Sequence, residues 1–140
     1  CQKNSMTFEK VLKTFYEKTN YKYIGPSFCS KIIATLDPQK PIIDKYVLQW
    51  LGITKNYEPN NKDDKIEYFV DIYNEIIKEY NDHLDDPNII ESIKSFDEQI
   101  SEGKNITKIK KIDFMLWSNR EPKTVSIFDY DKLLYYKNHQ

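Results

Sequence analysis

The stretch Ile66-Glu67-Tyr68-Phe69-Val70-Asp71-Ile72-Tyr73-Asn74-Glu75-Ile76-Ile77-Lys78-Glu79-Tyr80 decides the fold class. Within it Ile66, Phe69, Val70, Tyr73, Ile76, Ile77 and Tyr80 recur three and four residues apart. That period places side chains on one face of an α-helix. The stripe predicts a long helix over about 62–82, with Asp63 and Asp64 at the end where negative charge suits the helix dipole. Upstream, 54–62 is a polar stretch with Pro59 and reads as a loop.

The rest of the chain has the same character. Thr7 can cap a helix over 7–18 that carries Phe8, Val11, Leu12 and Phe15. The pattern breaks at 19–25 and resumes at Pro26, a residue suited to the first helical position. Phe28, Ile32, Ile33 and Leu36 then share one face until Asp37-Pro38 stops the helix. Asp44 reads as the N-cap of a third helix, with Tyr46, Val47, Trp50 and Leu51, ended by Gly52. Asp85-Asp86-Pro87 opens another, with Ile89, Ile90, Ile93, Phe96 and Ile100 and Gly103 as its stop. Thr107 caps a sixth, with Ile109, Ile112, Leu116 and Trp117 inward and Pro122 as its end. Residues 124–128 read either as a short strand or as a connector, and 129–136 as a last helical turn or two. The expectation is an all-α fold: one domain over 1–140, a compact bundle of about six helices with a short strand or irregular C-terminal tail.

Composition agrees and excludes several classes. There are only 3 Gly, while hydrophobic residues make up 39% and charged residues 31%; this is a globular helical balance, not a turn-rich β one. No apolar run reaches membrane-spanning length. Cys29 lies in an apolar run and reads as a reduced core residue. Cys1 suits either a chain trimmed from a longer one, the preferred reading, or a lipid-anchored N-terminus. The expected location is cytoplasmic, with lipid anchoring as the alternative. No Cys, His and carboxylate spacing fits a metal, and no nucleotide-binding or hydrolase motif is present, so no cofactor is expected.

The net charge of −1 gives no global attraction for nucleic acid. Its distribution is uneven: residues 1–60 sum to +4, 61–103 to −9 and 104–140 to +4. If the two ends meet, they form a basic face opposite an acidic one.

One constellation invites chemistry. It comprises Tyr23-Ile24-Gly25-Pro26-Ser27-Phe28-Cys29-Ser30-Lys31, then Ile43-Asp44-Lys45-Tyr46-Val47, then Leu51-Gly52. A glycine turn opens a helix, and a loop then delivers an aspartate to the start of the next. This resembles the core of the helix-hairpin-helix DNA glycosylase superfamily, the endonuclease III-like proteins, over about residues 20–52. The resemblance implies a helix-hairpin-helix element, DNA as ligand and Asp44 as the carboxylate acting at the sugar. Unpaired amides at a helix start attract phosphate, and glycine permits its close approach. The expected phosphate contacts are therefore Gly25 and Ser27, with charge from Lys22 and Lys31. Lys104, Lys108, Lys110 and Lys111 surround another helix start, where cations oppose the dipole. Of these, Lys108, Lys110 and Lys111 are taken as a further DNA contact.

The departures from the family pattern shape the expected function. Only one hairpin glycine is kept, and no lysine stands at the bifunctional enzymes' nucleophile position. The four-cysteine cluster signature is absent. Only about 20 residues precede the hairpin, where a helical lobe gripping the flipped base is expected. The preferred expectation is therefore a non-catalytic helical module on a glycosylase-like scaffold, binding DNA or a protein partner. The alternatives are a monofunctional glycosylase using Asp44 and a structural or interaction domain without a nucleic-acid role. Nothing in the sequence sets the oligomeric state.

Overall fold

Helix 62–83 is the longest element of the computed structural model, which describes residues 6–20, 22, 25–53 and 58–118. Six α-helices stand among these residues: α1 (Phe8–Lys18), α2 (Pro26–Leu36), α3 (Lys45–Trp50), α4 (Lys62–His83), α5 (Pro87–Gln99) and α6 (Lys108–Ser118). A 3₁₀ turn, Gly103–Asn105, joins α5 to α6, and the described residues contain no strand. The all-α bundle expected from the periodicity is the one observed. The expected strand or turns over 124–136, and the stop at Pro122, lie outside the described residues.

The helix starts are set by local chemistry. Thr7 accepts from the Lys10 amide at 3.2 Å, Asp44 from Tyr46 at 2.8 Å and Asn61 from Asp64 at 2.9 Å. Asp86 accepts from Asn88 at 2.8 Å, and Thr107 from Lys110 at 3.3 Å. Each satisfies an amide that the helix itself leaves unpaired.

Helix α4 runs through the core, burying Ile66, Phe69, Ile72, Tyr73, Ile76 and Tyr80. Phe8 of α1 lies on Tyr73 with ring centroids 4.2 Å apart. Leu12, Cys29 and Val47 are fully enclosed. Phe15 meets Phe28 at one end of the α1–α2 pair, and Phe8 and Ile33 line one cavity at the other. The two helices therefore run antiparallel.

Several apolar residues of the predicted helices face solvent. On α2 the buried residues are Cys29, Ser30, Ile33 and Ala34, while Phe28 is 52% and Leu36 63% exposed. Ile90 of α5 is also exposed. Trp50 and Trp117, both placed inward from the sequence, are 55% and 40% exposed. Apolar character alone does not place a residue in the core, because a small protein cannot cover its surface with polar atoms.

Gly103 also works differently from expectation. Its φ is not among the left-handed glycine values, which belong to Gly25 and Gly52. A Cβ at Gly103 would lie 2.9 Å from Asp97 Oδ1 and 3.2 Å from Asp97 Cα. Glycine is needed there for close packing, not to terminate a helix.

Candidate functional site

The connector between α2 and α3, residues 37–44, contains the carboxylate suggested as catalytic. It has no regular hydrogen-bond ladder, so its buried backbone groups must find side chains. They do, from three helices. The Ser30 hydroxyl of α2 donates to Ser27 O at 2.8 Å and accepts from the Ile43 amide at 2.9 Å. Tyr73 of α4 donates to Pro41 O at 3.1 Å. From α6, Thr107 donates to Pro38 O at 2.6 Å and Lys110 Nζ to Lys40 O at 3.1 Å.

Beneath the connector lies a polar node that sequence reasoning missed. Asp113 of α6 is buried. Its Oδ1 accepts from the Tyr80 hydroxyl at 2.7 Å, and Lys110 Nζ lies 3.5 Å from Oδ2. The nearby Ile42 backbone also favours the charged form of this carboxylate. Burial pushes the Asp113 carboxyl above its ordinary value, opposed by the Tyr80 hydrogen bond and the Lys110 charge. Burial and the Asp113 charge likewise raise the Tyr80 hydroxyl. One signal was legible: Asp113 follows Ile112 on the inward face of α6, where a carboxylate must have partners.

Asp44 sits at the end of this connector. Its carboxylate accepts from the Tyr46 amide and thereby starts α3. The other residues suggested for phosphate stand around the start of α2. Gly25 takes φ 52° and ψ 48°, a left-handed conformation that glycine adopts cheaply, and it is buried. Ser27 is half-buried, and its carbonyl is occupied by Ser30. Lys22 and Lys31 are exposed.

The α6 lysines do not form the open cation cluster their spacing suggested. Only Lys108 is exposed. Lys110 is engaged with Lys40 O and Asp113. Lys111 is 4% exposed, with its Nζ 2.6 Å from Asp97 Oδ1. Nor does the fold bring the two basic groups together. The α6 start docks beside Pro38 and Lys40, past the C-terminal end of α2. Gly25 stands at the other end, about 16 Å away along the helix axis.

A different surface is open. The apolar row Phe28, Ile32 and Leu36, at four-residue intervals on α2, faces a parallel row of Val11 and Phe15 on α1. Ile32, Val11 and Phe15 line a groove of about 490 Å³, closed at one end by Met6. Phe28 lies over Phe15 with ring centroids 5.3 Å apart. Lys10, Thr14 and Lys18 form one rim. The groove lining contains no acidic residue.

Among the described residues, no three His, Cys, Asp or Glu side chains cluster in a way that could hold a metal. No described helix is long and apolar enough to cross a membrane. No protein-family model, curated protein or solved structure matches the chain.

Proposed function

We propose that this chain is a non-catalytic helical module, similar in plan to a glycosylase core, whose ligand is a protein partner held at the α1–α2 groove. The observation that carries this reading is the uncovered apolar row Phe28-Ile32-Leu36 beside Val11 and Phe15. Contiguous exposed apolar surface on a folded domain marks an interaction site. Three of the polar residues first suggested for a site, Asp44, Lys110 and Lys111, have structural contacts. Asp44 caps α3, Lys110 holds the connector through Lys40 O, and Lys111 pairs with Asp97.

The test is a photo-crosslinking amino acid at Thr14, on the groove rim, compared with one at the exposed Lys94 of α5. A discrete protein adduct is expected from position 14 alone. The captured partner should rebind in purified form and be lost with Thr14→Arg. Absence of any adduct at position 14 would overturn the reading. So would release of damaged bases from duplex DNA by the native chain but not by Asp44→Asn, since that pattern would establish the glycosylase alternative.

A further inference from the structure

We infer that the partner segment in this groove is an amphipathic helix carrying two carboxylates about two turns apart. The inference rests on the interaction-module reading and specifies its ligand. Two observations on the groove point to this chemistry.

The first is shape. The lining positions on α1 run from Lys10 to Lys18, a length of about 12 Å at helical rise, with Met6 just before the helix. Its floor is Val11 and Phe15, four residues apart on α1, with Ile32 of the antiparallel α2 beside them. An apolar groove between helices fits a third helix that inserts side chains at i, i+3 or i+4, and i+7.

The second is charge. Lys10 and Lys18 stand two turns apart on the same rim, about 12 Å along the helix. The carboxylates of α1 are held elsewhere: Lys13 pairs with Glu9, and Lys62 lies 3.8 Å from Glu17. Neither Lys10 nor Lys18 has an ion pair among the described residues. Lys10 also sits in the first turn of α1, where a cation opposes the helix dipole. An incoming carboxylate offsets that repulsion. The rim therefore selects acidic over basic partner helices, while the apolar floor supplies the burial.

The inference is tested with two synthetic 15-residue peptides that share leucines at i, i+3, i+4 and i+7. One carries Glu at two flanking positions eight residues apart, and the other carries Lys there. Binding to the purified full chain is followed by fluorescence anisotropy. The Glu peptide is expected to bind, and the Lys peptide about tenfold more weakly. The double variant Lys10→Glu/Lys18→Glu changes exposed side chains, and circular dichroism verifies its fold. It should reverse the preference.

Equal binding of both peptides, or no reversal in the double variant, overturns the charge assignment. Failure of the Glu peptide to bind at 1 mM (about the weakest specific affinity worth the name) overturns the helical ligand. If the Thr14 crosslink still captures a partner in these cases, the interaction-module reading stands and only the ligand chemistry falls. Self-association of the chain through the groove, detected by sedimentation and lost with Thr14→Arg, would assign the groove to a second copy and overturn the inference.

Discussion

Ser30 is a polar residue in an apolar stretch, fully buried, and its hydroxyl bridges groups 13 residues apart in sequence. Replacing it with alanine leaves the Ile43 amide without an acceptor in the interior. A buried unpaired donor costs about 1–3 kcal/mol, so Ser30→Ala should lower unfolding stability by that amount in a urea titration. Gly103 makes a second residue-scale prediction. A Cβ there meets both Asp97 Cα and the Asp97 oxygen that Lys111 pairs with. The backbone contact cannot swing aside, and overpacking of this kind costs about 1–3 kcal/mol. Gly103→Ala should show that loss in thermal or chemical unfolding, whereas Gly52→Ala should show only the cost of its positive φ, because nothing lies within 4 Å of an added Cβ there.

Between elements, Asp113 joins α6 to α4. Its folded pKa lies above its unfolded value because of burial. The folded state therefore binds the proton more tightly than the unfolded chain does. Its contribution is fully present below the ordinary carboxylate value of 3.8 and is lost as pH rises through the folded value. This is opposite in sign to a salt-bridged carboxylate. Across that window, the stability difference between the native chain and Asp113→Asn should shift towards the native chain as pH falls. Parallel stability–pH curves for the two proteins would show that burial does not control this carboxyl. Helix α2 was only partly legible for a related reason. Of its expected face Phe28, Ile32, Ile33 and Leu36 only Ile33 is buried, and the core takes it together with Cys29, Ser30 and Ala34. Helical period identifies faces; it does not say which face meets α1, α4 or solvent.

At the scale of the whole molecule the segmental charges are uneven, and among the described residues the lysines of α2 and α6 do not gather into one basic surface. Lys110 and Lys111 are held by Asp113 and Asp97, and Lys22 and Lys108 lie at opposite ends of the α2 region. Duplex DNA should therefore bind no more tightly than about 10⁻⁴ M near physiological salt, the weak end of non-specific association. Anisotropy at two salt concentrations measures this. Micromolar binding with a steep salt slope would restore DNA as the ligand. Trp50 and Trp117 belong to the same scale. Their size suggested core positions, yet both are exposed, and the buried aromatics include Phe69, Tyr73 and Tyr80 of α4.

The helix positions and their caps were determined by the sequence alone, since Thr7, Asp44, Asn61, Asp86 and Thr107 each act on amides two or three residues away. Such interactions are local, and an apolar period of 3.6 is visible without knowing any neighbour. Tertiary structure alone decided that Ser30, Tyr73, Thr107 and Lys110 would hold the connector, that Tyr80 would meet Asp113, and that Phe28 and Leu36 of α2 would be exposed. Those outcomes depend on which faces meet across long separations in the chain. There, hydrogen-bond demand at buried backbone groups outweighs the hydrophobic rank of any single residue.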